Sequence, residues 1–488
     1  MRSNCLLRKA AIGAVEASAA RQSHPPLMLL AGRAVARRAL ALTGSQHRPI
    51  VVAAGPGNNG GDAWVAAEQL LSLGAPVVVW APLGSGTRES VAAAARSRFQ
   101  AEGGVVVQTL PREAALVVDG LFGIGLSRHL SGGALDAVRA INACGAPVLA
   151  IDVPSGLDAD TGTAGGAAVR ATHTITFIAG KPGLVTGEGL DYAGEVDVDA
   201  LSIDEAHFPE NAGVLLTRDT APRLRARAAN SHKGSFGTVG VIGGAAGMGG
   251  AAILAARGAL FAGAGKVYAT LLATAAPAFD PAQPEILLRS LDETLSADVL
   301  VAGPGAGAPD SPFAREVLPR LLAADKALVL DADALTALAQ HRGLAHADLR
   351  RRQAPTLLTP HPGEAARLLG TRVAEIQADR VAAAIELARA FGAEVVLKGA
   401  GSVCASPNGD WAINGSGNAG LASGGTGDVL TGAIGALLAQ HMAPAQALRL
   451  AVWAHGAAAD RLVARGGGPA GLTAGELPAA IRAILNAP

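Results

Sequence analysis

The run Gly420-Leu421-Ala422-Ser423-Gly424-Gly425-Thr426-Gly427-Asp428 leads directly into the apolar helical stretch Val429 to Gln440. Consecutive backbone N–H groups at such a helix start can hold the charge that develops on a transferring phosphoryl group, and a carboxylate beside them can take the proton of an attacking hydroxyl. Asp428 is therefore the foremost candidate catalytic base. As a plain first-turn residue it would only complement the helix dipole, which leaves the density of glycines unexplained. A second glycine turn, Lys398-Gly399-Ala400-Gly401-Ser402, follows the strand candidate Glu394 to Lys398 and suggests a seat for a nucleotide.

A different constellation lies in the first half. Gly55-Pro56-Gly57-Asn58-Asn59-Gly60-Gly61-Asp62 follows a short apolar run and precedes a helix. Glycine permits positive φ and close backbone approach, and a helix start favours an anion, so the turn suits a nucleotide-like ligand. It matches neither GxGxxG nor a P-loop. Asp119 in Asp119-Gly120-Leu121-Phe122-Gly123-Ile124-Gly125-Leu126, and Asp152 in Asp152-Val153-Pro154-Ser155-Gly156-Leu157-Asp158, also stand at strand ends. Any one of these aspartates could merely cap a helix. Three at the carboxyl ends of strands in an open sheet would converge on a ligand crevice.

These residues need a scaffold that brings strand ends together, and the chain supplies one. Short β-branched runs at Pro49 to Ala54, Pro76 to Trp80, Val105 to Thr109, Ala115 to Asp119, Pro147 to Asp152 and His173 to Ile178 alternate with helical stretches such as Trp64 to Leu73 and Val91 to Glu102. That alternation predicts an α/β fold with a doubly wound parallel sheet. Between Leu216 and Lys233 the period fails and Arg218, Arg223, Arg225 and Arg227 gather around Pro222, as in a linker. Strand-helix alternation then restarts with Thr238 to Ile242 and runs on to Glu394 to Lys398. The expected organisation is a first domain over residues 1–217, a linker over 218–230 and a second α/β domain over 231–488, without a shared motif that would make them a repeat.

Forty basic and forty acidic residues cancel, so no net field favours nucleic acid or an anionic membrane surface. A small-molecule substrate is the natural expectation. Three dispersed cysteines, Cys5, Cys144 and Cys404, fit neither a disulfide framework nor a zinc site. With no secretion signal and no long uncharged apolar run, a cytoplasmic location is expected. Only 3% of residues are aromatic, so the cores must be built from Ala, Val and Leu.

On the motifs just quoted, residues from about Leu27 to Asp204 resemble the NAD(P)H-hydrate epimerase family, which implies a Rossmann-like domain that interconverts the R and S epimers of nicotinamide cofactor hydrated at ring carbon 6. The resemblance implies that Asn58, Asn59, Gly60, Gly61 and Asp62, the loop Gly123, Ile124, Gly125, Leu126, Ser127, Arg128 and His129, and Asp152 hold the cofactor hydrate. It implies a potassium ion on Asn59, Asp119 and Ser155, and it places Lys181, in Gly180-Lys181-Pro182-Gly183-Leu184, near the nicotinamide. Asp152, with Lys181 as helper, is the expected proton-transfer group. Ala63 replaces a usual glycine and Ile124 a usual threonine.

Residues from about 225 to 485 resemble the ribokinase-like superfamily and, within it, the NAD(P)H-hydrate dehydratases. The distinguishing pieces are His232-Lys233-Gly234, Pro284-Glu285-Ile286, Thr359-Pro360-His361-Pro362-Gly363-Glu364 and the Gly424 to Asp428 run, in that order. By this resemblance Lys398, Gly399, Ala400, Gly401, Ser402 and Gly427 contact the adenine nucleotide, and Ala251, Gly307, His361 and Asp428 contact the hydrate. His361, between prolines, reads equally as a structural turn residue. Asp428 would deprotonate the C6 hydroxyl of the S epimer for attack on the nucleotide's terminal phosphate, after which phosphate is expelled. Magnesium is expected with the nucleotide, and the resemblance favours ADP as donor, giving AMP and phosphate. A bifunctional repair enzyme is the leading expectation. The alternatives are a vitamin-precursor or small-alcohol kinase with an accessory nucleotide-binding domain, and a first domain that only binds and senses. Assembly into a homo-oligomer is compatible with the sequence.

Overall fold

The protein is described from a computed structural model over residues 4–19, 25–44, 48–84, 91–126, 129–340 and 348–487. It divides into two compact units, Met1–Gly213 and Val214–Pro488. The division falls ahead of residue 217 because the strand Gly213–Leu216 pairs with Trp411–Asn414 of the second unit, Leu215 beside Ile413. The arginine-rich stretch that follows carries neither helix nor strand up to residue 232.

In the first unit β1 (Ile50–Ala54), β2 (Val77–Trp80), β3 (Val105–Val107), β4 (Leu116–Gly120), β5 (Val148–Ile151), β6 (His173–Phe177) and β7 (Glu195–Asp199) form one sheet in the order β3-β2-β1-β4-β5-β6-β7. All its pairs are parallel. Successive side chains of a strand face opposite sides, and the Ile-Val-Val-Ala-Ala run of β1 is apolar throughout because both sides are covered. Val52 and Ala54 pack with Trp64, Val65 and Phe99, while Val51 and Ala53 pack with Ala137, Val138 and Ile141 on the other face. The last strand, β7, escaped the sequence reading because Glu-Val-Asp-Val-Asp lacks an apolar run. It is an edge strand whose acidic face meets Arg37 and Arg38.

The second unit contains β8 (Gly213–Leu216), β9 (Thr238–Gly243), β10 (Lys266–Leu271), β11 (Leu287–Leu288), β12 (Val299–Ala302), β13 (Ala327–Leu330), β14 (Thr356–Leu358), β15 (Glu394–Leu397), β16 (Val403–Ala405) and β17 (Trp411–Asn414). Their order is β8-β17-β16-β15-β14-β13-β12-β9-β10-β11. The run from β15 to β11 is parallel, and β15-β16-β17 is antiparallel. Strand β17 was also unforeseen, although Asn408-Gly409 ahead of it is the sort of pair that turns a hairpin, with Gly409 at φ 97°.

The scarcity of aromatic residues has a structural use here. Helix Gly249–Phe261 crosses helix Thr426–Ala439 so closely that a Cβ at Gly258 would lie 2.3 Å from the carbonyl oxygen of Val429. A Cβ at Gly432 would lie 1.8 Å from that of Ala255. Both helices start at the site described below, so small residues at their crossing fix the spacing of Ala251 and Asp428. Among the described residues no helix is long and apolar enough to cross a membrane.

Candidate functional site

Two groups of functional side chains form, one in each unit. In the first sheet the chain runs outward from β1 to β2 and β3, then returns to β4 and continues the other way, so the strand order reverses between β1 and β4. Open α/β sheets leave a crevice at that point. The glycine turn after β1 and the Asp119 to Leu126 loop after β4 both sit there. They touch so closely that a Cβ on Gly55 would lie 1.8 Å from the carbonyl oxygen of Leu121. Above the strand ends opens a cavity of about 820 Å³ lined by Asn58, Asn59, Asp62, Gly123, Ile124, Gly125, Leu126, Asp152 and Lys181.

Asp152 follows β5 with φ 65°, a left-handed conformation that aspartate tolerates better than most residues. Its backbone N–H still donates to the carbonyl of Ile175 at 2.8 Å, while its carboxylate receives hydrogen bonds at Oδ1 from Lys181 Nζ (2.5 Å), Thr176 Oγ1 (3.1 Å) and the Phe177 N–H (3.3 Å). Lys181 is 1% exposed and also donates to Thr176 Oγ1 and the Phe177 carbonyl. A buried lysine with no countercharge would be costly; Asp152 supplies it.

Asp119, Ser155 and Asn59 are all buried. Ser155 Oγ donates to Asp119 Oδ1 at 2.7 Å, and the Ser155 and Leu121 N–H groups donate to the same carboxylate. Burial pushes the Asp119 carboxyl up to about 6, against the pull of those hydrogen bonds. The side-chain nitrogen of Asn59 has no hydrogen-bond partner, which is unusual for a buried amide.

The Asn58 to Asp62 run is not a loop, as its glycines suggested, but the first turn and a half of helix Asn58–Ser72. Gly60 and Gly61 make room rather than line the cavity: a Cβ on Gly60 would meet the Gly55 carbonyl oxygen at 1.8 Å, and one on Gly61 would meet the Met28 methyl at 2.6 Å. His129 is exposed and outside the cavity lining. Ser127 and Arg128 lie outside the described residues. Missed from the sequence were Gly13, Glu16 and Ala17, on helix Lys9–Ala19, which form one wall of the cavity. Only the three-residue spacing of Gly13 and Glu16 could have placed them on one helix face.

In the second sheet the order reverses between β9 and β12. The loops after these strands meet through Gly244 N–H to the Pro304 carbonyl (3.0 Å) and Ala245 N–H to that of Gly305 (2.6 Å). Ala251 and Gly307 belong to this seam, and the Gly307 N–H donates to Asp333 Oδ2 at 2.9 Å. Beside it, successive strand ends deliver Asp331 after β13, the Thr359 to Glu364 turn after β14 and Lys398 after β15.

Lys398 Nζ donates to Asp331 Oδ1 at 2.7 Å and would stand 3.3 Å from a Cβ on Gly427. Its side chain thus points at the helix that carries Asp428, while Gly399 to Ser402 form a separate turn in which Ser402 Oγ donates to the Gly399 carbonyl at 3.0 Å. Asp331, 1% exposed, also accepts from Thr431 Oγ1 at 2.6 Å and from the Ala332 N–H at 2.9 Å. His361 caps helix Pro362–Leu369: its Nδ1 accepts from the Gly363 N–H at 2.9 Å, and its own N–H donates to Glu364 Oε2 at 2.7 Å. The turn role is therefore real, and it leaves half the His361 side chain exposed.

Gly425 at φ 87° opens helix Thr426–Ala439, with Thr426 Oγ1 donating back to the carbonyls of Leu421 and Ser423. His455, fully enclosed, is 2.9 Å from the Thr426 carbonyl through Nε2, and burial drives its pKa down to about 4, so it serves as a neutral N–H donor. Burial first, and then the charge of Asp331, raise Asp428 to about 7, with Lys398 opposing. Glu364 is likewise raised to about 7 by burial. Burial disfavours charge on Lys398, but Asp331, Glu364 and Asp428 outweigh it and its pKa is raised. Asp331 and Glu364 stood out in the sequence only as members of strand-end runs, without a role, and His455 not at all, since the part each plays becomes recognisable only through its neighbours.

A family model described as "YjeF-related protein N-terminus" matches residues 25–183, and one described as "NAD(P)H-hydrate dehydratase" matches residues 239–482. The chain is 37% identical over 492 residues to the bifunctional NAD(P)H-hydrate repair enzyme Nnr of Thermofilum pendens, covering 94% of this chain and 92% of that one. It is 38% identical to the enzyme of the same name from Escherichia coli, covering 94% and 89%. The chain belongs to the bifunctional NAD(P)H-hydrate repair enzymes. It is an isomerase and a lyase in one polypeptide, joining NAD(P)H-hydrate epimerisation to nucleotide-dependent NAD(P)H-hydrate dehydration. The match across both units sets aside the vitamin-precursor kinase reading. Among solved structures, an ADP/ATP-dependent NAD(P)H-hydrate dehydratase from Bacillus subtilis, co-crystallised with ATP and Mg²⁺, aligns at 34% identity and a TM-score of 0.47, over 55% of this chain and 94% of that one.

Proposed function

We propose that the cavity over the first sheet is the epimerase site, with Asp152 and Lys181 as its proton-transfer pair, and that Asp428 is the base of the dehydratase site. The observation that carries the second assignment is the carboxyl of Asp428 raised to about 7 beside the helix start. A base poised near neutrality both exists as carboxylate and accepts a proton with little loss.

In the dehydratase site the S-hydrate lies along the Ala251 and Gly307 seam with its C6 hydroxyl at Asp428. Asp428 takes the hydroxyl proton as oxygen attacks the terminal phosphate of ADP. Lys398 and the N–H groups at the start of helix Thr426–Ala439 face the charge that spreads over the phosphoryl oxygens. Asp331 holds Lys398 in place, and the Gly399 to Ser402 turn with Gly427 borders the nucleotide. Phosphate then leaves with the C6–O bonding pair, a proton is lost from C5 to solvent, and the C5–C6 double bond of the dihydropyridine is restored. Among the described residues no group of three or more His, Cys, Asp or Glu side chains is arranged to hold a metal alone. That fits Mg²⁺, which is commonly held by one or two carboxylates together with substrate phosphates; Asp331 and Glu364 are the carboxylates beside Lys398.

In the epimerase site Asp119, Ser155 and Asn59 fit a potassium ion. Their oxygens are hard donors, Asp119 and Ser155 are already 2.7 Å apart, and turning over the Asn59 amide would place its oxygen where the unpartnered nitrogen now lies. When bound, the ion supplies positive charge next to the strand ends that carry Asp152. Asp152 and Lys181 move the proton at the C6 oxygen, and Asp62 and the Gly123 to Leu126 loop border the ring. The location is cytoplasmic, supported by three free cysteines and a diffusible small-molecule substrate.

One experiment tests the scheme. The whole chain, given mixed R and S hydrates with ADP and Mg²⁺, should restore the reduced-nicotinamide absorbance of both epimers faster than spontaneous epimerisation allows. Recovery limited to the S fraction would remove the epimerase assignment.

A further inference from the structure

The family match over the first unit begins at residue 25, yet part of the cavity wall comes from ahead of it. The segment from Cys5 to Ala19 is tied to the site at two places. The Leu7 N–H donates to the Gly180 carbonyl and the Gly180 N–H to that of Cys5, both at 2.9 Å, immediately beside Lys181. Lys9 donates through Nζ to Asp158 Oδ2 and through its backbone N–H to Asp160 Oδ1, both at 2.7 Å. From these ties onward helix Lys9–Ala19 buries Ile12, Val15 and Ala19 in the core and turns Gly13, Glu16 and Ala17 to the cavity that also holds Asp62, Asp152 and Lys181. An exposed glutamate on a surface helix would ordinarily face bulk water; Glu16 opens onto the same cavity as the candidate proton-transfer pair.

We infer that Glu16 is a further catalytic acid of the epimerase site, delivered from outside the matched region and working with Asp62 against the ion-paired Asp152. The inference rests on the cavity being the epimerase site. Configuration at C6 is lost when the C6–O bond breaks. The Glu16 carboxyl gives its proton to the hydroxyl oxygen, the bonding pair leaves with that oxygen as water, and the lone pair of the ring nitrogen closes a C=N bond. Water then adds from the other face, its oxygen supplies the new bonding pair, the C=N pair returns to nitrogen, and the surplus proton passes to the Asp152 carboxylate. Exchange through Asp62 or solvent carries that proton back to Glu16. Nothing is oxidised or reduced.

The division of labour follows from the surroundings. Asp152 is paired with Lys181 at 2.5 Å and is suited to accept. Burial raises the pKa of Glu16, the charge of Asp152 raises it further and Lys181 opposes. Asp62 is raised well above its ordinary value by burial, then by Asp152 and Glu16.

The test uses the full chain without nucleotide, mixed with pure R hydrate, and follows the appearance of S by NMR above the spontaneous rate. Glu16→Gln should lower kcat for epimer exchange about 100-fold, the usual scale for a general acid, with little change in KM. Glu16→Asp should recover part of that rate. The fall of exchange at high pH, where carboxyls in the cavity lose their protons, should move in the Gln variant, with Asp62, Asp152 and Lys181 as the other groups facing the ring. Wild-type exchange in Glu16→Gln, a loss confined to KM, or no recovery in Glu16→Asp overturns the role of Glu16. If Asp152→Ala slows exchange while Glu16→Gln does not, the cavity assignment stands and Glu16 alone fails. If neither variant slows exchange, the cavity assignment fails with it.

Discussion

Each unit sets a lysine against a buried aspartate at the carboxyl ends of parallel strands, and the two pairs leave their sites in different states. In the first unit Lys181 is bound to Asp152 itself at 2.5 Å, so the candidate proton-transfer carboxylate and its countercharge are one object. In the second, Asp331 occupies Lys398 at 2.7 Å. Asp428 is left outside the pair, and burial first, with Asp331 as a repelling neighbour, raises it to about 7. A carboxylate tied to a cation suits reversible proton traffic in an epimerisation. A carboxylate kept beside the pair suits a base that must take a proton once and commit the oxygen to phosphorus.

The largest effect should come from breaking the second site at its base. Asp428→Asn should reduce ADP-dependent recovery of reduced cofactor by about 1,000-fold or more, within the range for a general base acting in concert with phosphoryl positioning, while NMR still shows epimer exchange. Survival of both activities would leave Asp428 without its role.

Next, Asp331→Asn removes the partner that distinguishes the two pairs. Lys398 is then free to attract Asp428, so the dehydratase rate should fall about 100-fold, as when a preorganised charge is lost, and the Asp428 pKa should drop. Its pH–rate profile should lose activity at a lower pH than wild type; an unshifted profile would mean that Asp331 does not set the base.

Third, Asp152→Ala should slow consumption of the R hydrate about 10-fold to 100-fold, the lower range for a proton-transfer group, and leave S-hydrate dehydration intact. Equal loss in both reactions would show that the two sites are not separable by this residue.

The smallest effect needs no mutation. Asp428 acts as base only when ionised, and its raised pKa means that the carboxylate fraction falls as pH drops through about 7. Dehydration at limiting S-hydrate should thus decline about ten-fold per pH unit below that point. Glu364, also raised to about 7, titrates in the same range, so the limb belongs to the cluster. An activity flat from pH 8 to 5 would exclude a base of this kind.

Local chemistry made much of the fold legible. Val-Val-Ala and Val-Leu-Val-Ala runs can only be strands covered on both faces, and glycine turns after them mark where a strand gives way to a helix. Two of the strands that were missed, Glu195–Asp199 and Trp411–Asn414, lack that signature: one is an acidic edge and the other closes a hairpin around a Trp. The Asn58 to Asp62 run was read as a turn where it is the start of helix Asn58–Ser72, since glycine signals the freedom of a position and not the conformation it adopts.

What the sequence determined by itself was the set of strand ends and the reactive residues standing on them, because those depend on neighbours a few positions away. Tertiary structure alone decided which charges meet. Lys398 stands next to a glycine turn in sequence but pairs with Asp331, 67 positions away, because β15 and β13 flank β14 in the sheet. Glu16 shares a cavity with Asp152 and Lys181 because Cys5 and Leu7 are fastened to Gly180 and Lys9 to Asp158 and Asp160. Charge pairs buried in low dielectric set pKa values and roles, and their partners are chosen by strand order, which no local pattern encodes.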